Sequence, residues 1–276
     1  MASPLLSLPG AVGDTVVLHY GNPLAEQRAL DRGEAWVDLG DHEVLTLSGP
    51  DRLVWLNSIC SQDLLGLAPG VTTEALILDP NGHVEHQFLL VEDGQTSWLL
   101  VEPGCAAGLM EWLVRMRFRM QVDIDEVSSQ WTVLATTGPV PGGVSSPAIW
   151  HDPWPKVGRG SVGYGPTPHP GDGLEVVYWL HPRAELTAEL APAWTGTDAL
   201  DALQVRAARP RLIADVDEKT LPHELDWLRT AIHLEKGCYR GQETIAKVHN
   251  LGHPPRRTVL LHLDGSDAEL PAAGFR

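Results

Sequence analysis

The stretch TEALILDPNGHVEHQFLLVED, residues 73–93, contains two strand-like apolar runs joined by a short turn. The first run is TEALILD, residues 73–79, and the second is HVEHQFLLVED, residues 83–93. Residues 80–82 between them read Pro-Asn-Gly, and an Asn-Gly pair tolerates the positive φ angles that a tight hairpin turn requires. The stretch therefore predicts a β-hairpin with antiparallel strands.

The segments on both sides of this hairpin combine short strands with helices. Apolar or alternating runs predict strands, and apolar residues at helical spacing predict helices. The predicted strands are EVLTLSG (43–49), TSWLLVE (96–102), MQVDIDEV (120–127), LEVVYWL (174–180) and the beginning of TVLLHL (258–263). The predicted helices are GPDRLVWLNSICSQDL (49–64), GCAAGLMEWLVRMRF (104–118) and DALDALQVRAAR (198–209), with a Pro-initiated turn or short helix in LPHELDWLRTAI (221–232). Because short turns join neighbouring strands, the pattern favours an antiparallel α+β arrangement over a doubly wound parallel sheet.

Residues 137–173 are rich in glycine and proline, which predicts a long loop or a junction between subdomains. They include GRGSVG, residues 158–163, which fits the G-x-G-x-x-G pattern of dinucleotide-binding proteins. No predicted strand precedes this stretch, and the YGPTPHPGDG that follows cannot form the helix that receives a pyrophosphate. We interpret it as an ordinary glycine-rich loop.

The composition is that of an acidic, folded chain. Its 276 residues are 43% hydrophobic, and they carry a formal net charge of −16 with a pI near 5.0. Because phosphate binding relies on lysine and arginine, this balance disfavours non-specific binding of nucleic acid. The opening MASPLLSLPGAVGD lacks the charged region of a signal peptide, and no run is long and apolar enough to span a bilayer. We expect a cytoplasmic protein that is not associated with membranes.

The cysteines and histidines predict neither a disulfide nor a metal site. Cys60, Cys105 and Cys238 are odd in number and far apart, which fits neither a disulfide framework nor a C-x-x-C site. At least two of them are expected to be small buried side chains. His83 and His86 lie three apart on a predicted strand and therefore on opposite faces.

The segment KGCYRGQET, residues 236–244, places one cysteine between two glycines and two basic side chains. Gln242 and the residues after it read as the start of a helix, where backbone N–H groups attract anions or thiolates. With Lys236 and Arg240, these groups would favour the thiolate of Cys238 and make it a candidate nucleophile or redox-responsive thiol. The alternative is that Cys238 is a small side chain in a tight turn, and the spacing leaves both interpretations open.

Glu224, in LPHELDW, is a second candidate for binding. A carboxylate after a Pro-bounded turn and before Leu225 and Trp227 can accept two N–H donors from a planar heterocycle with charge-assisted strength. A structural role is the alternative, because acidic residues are favoured in the first turn of a helix.

Several of these segments together resemble the YgfZ family, the folate-binding relatives of the glycine-cleavage T-protein, which is an aminomethyltransferase. KGCYRGQE, residues 236–243, is the family's signature, and LSGPDRLVWLNSICSQDL (47–64), ALILDPNGHVEHQFLLVED (75–93) and residues 220–257 support the match. The resemblance covers roughly residues 35–265. It implies an aminomethyltransferase-like folate-binding fold, with antiparallel sheets flanked by helices.

The resemblance also implies a function and its residues. It predicts a cytoplasmic protein that binds tetrahydrofolate, or a one-carbon derivative of it, in a central cavity and supports the assembly or repair of iron-sulfur enzymes. Iron-sulfur client proteins are its implied partners, and a link to tRNA modification is also implied, although the acidic charge disfavours tRNA binding. Glu224 matches a Pro-x-Glu carboxylate that contacts the pterin ring, and Cys238 is the implied functional or catalytic residue. The remaining cofactor-binding residues implied by the signature are Lys236, Gly237, Tyr239, Arg240, Gly241, Gln242 and Glu243.

The chain departs from the T-protein pattern in two places. T-proteins carry an aspartate three residues before a tryptophan on the helix after the Val-Asn strand end, and this aspartate is tied to aminomethyl transfer. In LVEPGCAAGLMEWL the position is Leu109, which can neither take up a proton nor stabilise a cation, so that chemistry is not expected. The relatives also have a complete C-terminal β-barrel. The resemblance therefore divides the chain into residues 1–255, with two subdomains that join within about 127–173, and residues 256–276, the start of an incomplete barrel.

Overall fold

The structure, a computed structural model, describes residues 2–140 and 145–261. The strands within them are β1 (Trp36–Leu39), β2 (Glu43–Ser48), β3 (Thr72–Leu78), β4 (Val84–Glu92), β5 (Thr96–Val101), β6 (Asp123–Glu126), β7 (Trp131–Thr136), β8 (Ile149–His151), β9 (Val177–Pro182) and β10 (Trp194–Thr195). The helices are α1 (Pro23–Asp31), α2 (Arg52–Ile59), α3 (Ala106–Met116), α4 (Thr197–Arg206), α5 (Leu212–Asp215) and α6 (Gln242–Leu251). Short 3-10 turns occupy Pro4–Ser7, Arg183–Glu185, Ala188–Leu190, Pro222–Leu225 and Trp227–Arg229.

These strands form two five-stranded sheets. The first sheet has the order β10-β1-β7-β9-β8, and the second has the order β3-β4-β5-β2-β6. The pairs are antiparallel, apart from the parallel pair of β1 with β10. The mainly antiparallel sheets and their flanking helices confirm the predicted α+β class.

The hairpin of β3 and β4 forms as the sequence predicts. Gly82 in its turn has φ +84°, a left-handed conformation that glycine adopts without steric cost. The Asp79 carboxylate accepts hydrogen bonds from the backbone N–H groups of Asn81 and His83, each at 2.8 Å. An aspartate that bonds the backbone two residues ahead stabilises a turn locally, so this segment specifies its own reversal.

The second sheet separates two parts of the hydrophobic core. Leu45 and Leu99 lie on the face that packs against α2 and α3, and Val44 and Leu100 lie on the opposite face, which packs against the first sheet. Successive strand residues point to opposite faces, so apolar residues at adjacent positions cover both. The helices, the second sheet and the first sheet thus form successive layers.

The boundaries of several elements differ from the predictions: the helix predicted over 49–64 spans Arg52–Ile59, and the strand predicted over 174–180 spans Val177–Pro182. Two further differences have a local cause. The strand predicted over residues 120–127 begins at Asp123, because the backbone N–H of Met120 bonds to the Arg117 carbonyl at 3.0 Å and continues the turn after α3. LPHELDWLRTAI forms two 3-10 turns separated by Asp226, whose φ of +55° interrupts a continuous helix.

The strand predicted at TVLLHL does not form in its described part, residues 258–261, which pair with no strand. Instead, the backbone N–H and the hydroxyl of Thr258 both donate to the Glu224 carbonyl at 3.0 Å. Residues 262–276 lie outside the described residues. The predicted division of the chain after residue 255 stays a prediction. None of the helices in residues 2–140 and 145–261 has both the length and the apolar character to cross a bilayer.

Candidate functional site

The signature segment packs closely against the turn of the β3–β4 hairpin. Gly241, which precedes α6, has φ +83°, and a Cβ placed on it would lie 2.6 Å from the Asp79 carbonyl oxygen. A Cβ on Gly82 would lie 2.9 Å from the Cβ of Thr244. Only glycines allow the two backbones to come this close. By contrast, a Cβ on Gly237 would meet no atom within 4 Å.

Lys236 ties the signature segment to the end of α2. Its Nζ donates to the carbonyl oxygens of Asn57 at 2.7 Å, Cys60 at 2.8 Å and Gln62 at 2.7 Å. These three bonds use all three hydrogens of the ammonium group. A cation is also favoured at a helix C-terminus, where the unpaired carbonyls lie. Burial lowers the pKa of Lys236. A cofactor could therefore bond this ammonium only if one of the three hydrogen bonds opened.

Other signature side chains also contact the protein itself. Tyr239 is buried, with the Lys236 Nζ 5.4 Å from its ring centre, and burial raises the pKa of its hydroxyl. Arg240 pairs with Glu85 on β4 at 2.6 Å. The Gln242 amide donates to the Lys236 carbonyl at 3.4 Å. These contacts fix the segment on the second sheet.

The three cysteines are free thiols in different environments. Cys60 is buried, and this burial raises the pKa of its thiol. Cys105 is half-buried, with a pKa raised to about 11 mainly by burial. Cys238 is exposed, and so is Glu243 in the first turn of α6. Cys238 is therefore the thiol of the three that is open to solvent.

Glu224 presents a half-satisfied carboxylate. Glu224 lies in the turn Pro222–Leu225, and its side chain is 4% exposed. Oε2 accepts a hydrogen bond from Nε of Arg256 at 3.0 Å, and Nη2 of the same guanidinium lies 2.7 Å away in an ion pair. Oε1 is buried and has no hydrogen-bond partner in the described part of the chain. Glu224 therefore carries one held oxygen and one buried acceptor without a donor.

A cavity of about 690 Å³ lies beside Glu224. Its walls mix polar with apolar side chains and include Tyr164, His169, His223, Asp226, Val205 and Val259. A second cavity, of about 230 Å³, lies between the two sheets. Arg209 and Pro210 line both cavities, so the two cavities lie on opposite sides of this short segment.

Arg209 is the centre of a buried ionic network that the sequence reasoning missed. Its Nη atoms donate to the two oxygens of Glu74 at 3.1 and 2.9 Å, and its Nε donates to Asp152 at 3.0 Å. The guanidinium lies 5.0 Å from the ring centre of Trp154. Burial raises the pKa of Asp152 to about 6. A signal was present in the sequence, because Glu74 is a charged residue within the predicted strand, directly before its apolar run at residues 75–78.

The structure thus separates the predicted site residues into two groups. Glu224 lines the larger cavity and also a third one, of about 300 Å³, which it shares with Asp217 and Arg256. None of residues 236–243 lines any of these three cavities. Leu109 lines none of the cavities described above: it is 0% exposed and packs in the core between α3 and the second sheet. Among residues 2–140 and 145–261, no three histidine, cysteine or acidic side chains are grouped to hold a metal ion. The roles predicted for residues 236–243 stay predictions.

Comparison with known proteins gives one family match. Residues 21–144 match the model of the GCVT N-terminal domain. An aminomethyltransferase of Nostoc sp. is 24% identical over 262 residues, which cover 87% of this chain and 69% of the relative. A chloroplastic protein of Arabidopsis thaliana, whose name describes it as a transferase, is 25% identical over 263 residues. The match covers 85% of this chain and 57% of the Arabidopsis protein.

Among solved structures, this chain is similar to the glycine cleavage system aminomethyltransferase T from Bartonella henselae. The TM-score is 0.69 at 17% identity, and the match covers 90% of this chain and 73% of that one. The fold predicted from the signature and the hairpin is confirmed by this similarity. Residues 21–144 are thus similar to the GCVT N-terminal domain, and the chain has the aminomethyltransferase fold.

Proposed function

We propose that this protein binds a tetrahydrofolate in the cavity beside Glu224 and serves as a YgfZ-like factor for iron-sulfur proteins. The observation that carries the folate proposal is the buried, unpartnered Oε1 of Glu224, a residue that lines this cavity. A buried acceptor without a donor costs about 1–3 kcal/mol, and a ligand N–H would remove that cost. Tetrahydrofolate is the cofactor that the resemblance to the T-protein implies.

The residues present fit a folate. The volume of about 690 Å³ is of the size that accommodates a small-molecule ligand. The pterin edge carries adjacent N–H donors, and a carboxylate oxygen accepts such donors with charge-assisted strength. Arg256 holds the other oxygen of Glu224, so the carboxylate is oriented before a ligand arrives.

Replacing the carboxylate tests this assignment. We expect Glu224→Gln to weaken tetrahydrofolate binding by roughly 10- to 100-fold, because one charged acceptor is lost. Isothermal titration measures the affinity. Asp217→Asn is the matched control, since Asp217 also pairs with Arg256, at 2.7 Å, but does not line the larger cavity. The control should bind like the wild type. Absence of saturable heat with the wild-type protein, or equal affinities for Glu224→Gln and the control, would contradict the proposal.

The iron-sulfur role is supported by the signature segment and by the accessibility of its thiol. Cys238 is exposed to solvent, where a partner protein, a one-carbon adduct or a sulfur species can reach it. Lys236 and Arg240 hold the backbone on both sides through their bonds to α2 and β4. We propose Cys238 as the functional thiol, acting on a partner rather than inside the folate cavity, since it lines neither cavity.

A strain that carries Cys238→Ala tests the thiol. We expect the activities of iron-sulfur enzymes to fall under oxidative stress towards those of a strain without the protein. Cys105→Ala is the matched control and should leave them unchanged, because this thiol is half-buried and outside the signature. The purified Cys238→Ala protein should retain its affinity for tetrahydrofolate. Normal enzyme activities in the Cys238→Ala strain would remove the thiol from the mechanism without affecting the folate proposal.

Aminomethyl transfer is the alternative function, because this chain has the fold of an aminomethyltransferase. The position of the T-protein aspartate is occupied by Leu109, whose side chain is enclosed in the core. It supplies no group that could move a proton or stabilise a developing cation. We therefore propose binding, rather than transfer, as the function of this cavity.

A further inference from the structure

His223 is a buried polar side chain that the proposed function does not use. It is 4% exposed, lies next to Glu224 in the turn Pro222–Leu225, and lines the same cavity. Neither of its ring nitrogens has a hydrogen-bond partner in the described part of the chain. The Ile245 carbonyl lies near the ring but forms no hydrogen bond of normal geometry with it. Buried polar groups in native proteins normally have partners, so a ring without one suggests a missing ligand.

The imidazole of His223 is neutral at physiological pH. Burial is the main reason that its pKa is lowered to about 4. A neutral imidazole carries one N–H donor and one acceptor nitrogen. Because the two nitrogens point in diverging directions, the ring makes one hydrogen bond, as donor or as acceptor, to a given ligand edge, and it offers no charge to an anionic group.

Neighbouring side chains hold this ring in place. The Tyr164 ring packs against it with a centre-to-centre distance of 5.8 Å. The Tyr164 hydroxyl lies 2.6 Å from Nδ1 of His249 on α6, which fixes the tyrosine in turn. Tyr164 also lines the cavity. A side chain locked by packing makes a preorganised hydrogen-bonding group, which loses little entropy when a ligand binds.

From this geometry we infer that His223 is a specificity-determining residue of the cavity, which selects a neutral heterocycle through one hydrogen bond to its edge. Beside it, Oε1 of Glu224 supplies a second acceptor. This inference rests on the proposed function, in which the heterocycle is the pterin of a tetrahydrofolate. His223 then recognises the pterin and makes no contribution to binding the aminobenzoyl-glutamate tail.

Two fragments of the ligand separate these contributions. The probes are 6,7-dimethyltetrahydropterin, which has no tail, and p-aminobenzoylglutamate, which has no pterin. We expect His223→Leu to weaken the binding of tetrahydrofolate and of the tail-less pterin by the same factor, about tenfold, which corresponds to one lost hydrogen bond of average strength. Binding of p-aminobenzoylglutamate, measured by competition, should not change. His223→Asn retains a donor and an acceptor and should recover much of the affinity.

Thermal unfolding separates recognition from a structural role. Because the ring nitrogens are unpartnered, His223→Leu should leave the melting temperature of the ligand-free protein unchanged or raise it. Lower affinity without lower stability supports the inference. Wild-type affinity of His223→Leu for tetrahydrofolate would overturn it and leave the folate proposal standing, as would equal losses for both fragments. If the wild-type protein bound neither tetrahydrofolate nor the tail-less pterin, both proposals would fall.

Discussion

Replacing Arg209 by methionine is expected to lower the free energy of unfolding by about 3–5 kcal/mol. The substitution leaves the buried carboxylates of Glu74 and Asp152 without their shared cation. Urea unfolding at pH 7 measures the loss. The matched control is Arg206→Met, three residues earlier, which removes an exposed pair with Asp31 and should cost less than about 1 kcal/mol. Equal losses for the two variants would show that the buried network is not a major contribution to stability.

The same variant has an expected pH dependence. In the wild type, the pKa of Asp152 is raised from 3.8 to about 6, so its contribution to stability is fully present below about pH 4 and is lost as the pH rises through 6. Without the guanidinium of Arg209, the carboxyl would be still harder to ionise. The loss in free energy of unfolding caused by Arg209→Met, relative to the wild type, should therefore be smaller at pH 5 than at pH 8. A double replacement of Glu74 by glutamine and Asp152 by asparagine in this background should restore part of the lost stability.

Introducing the T-protein aspartate at Leu109 should damage the fold and not create a transferase. Leu109 is fully buried among apolar side chains, so Leu109→Asp both removes apolar contacts and places a carboxyl where nothing in the described core can pair with it. We expect a loss of at least about 4 kcal/mol in the free energy of unfolding. Urea unfolding and an assay for methylenetetrahydrofolate formation test both halves of the prediction.

The matched control for this substitution is Val114→Asp on the same helix. Val114 is exposed, so a carboxylate there remains in water and should change stability by only about 0.5 kcal/mol. The loss for Leu109→Asp should increase as the pH rises, because burial raises the pKa of the introduced carboxyl and its ionised form is the costly one. A stable Leu109→Asp protein that forms methylenetetrahydrofolate would contradict the proposal that the cavity beside Glu224 serves for binding alone.

The hairpin and the helices α2, α3 and α4 were predictable from the sequence because their signals are local. The Pro-Asn-Gly turn specifies a reversal, and apolar residues recur at helical spacing. The strand β1 was not predicted. Its four residues, Trp36–Leu39, are all buried, and so short an apolar run has no period to identify it. Its place in the first sheet depends on pairing with β7 and β10, which are distant in sequence.

The candidate site was predictable in part. A resemblance pointed to Glu224 and to residues 236–243, but only the three-dimensional structure shows that they belong to different surfaces. Lys236 illustrates the reason. In the sequence it is a cation beside a cysteine, whereas in the fold its ammonium bonds to carbonyls nearly 180 positions earlier in the chain. His223 and Arg209 were missed for the same reason, since their environments consist of distant segments.

The two anchors around Cys238 have a consequence for encounters with other molecules. Lys236 lies two positions before the thiol and Arg240 two positions after it, and each is bound to a different element, Lys236 to the end of α2 and Arg240 to β4. The backbone of residues 237–239 is thus already ordered in the folded protein. A macromolecule that binds there therefore pays little conformational entropy to order it. Cys238 itself is exposed and lines neither the cavity beside Glu224 nor the one between the sheets. If a pterin binds beside Glu224 as proposed, we expect any group transferred between it and the Cys238 sulfur to be carried by a diffusing molecule or by the partner macromolecule.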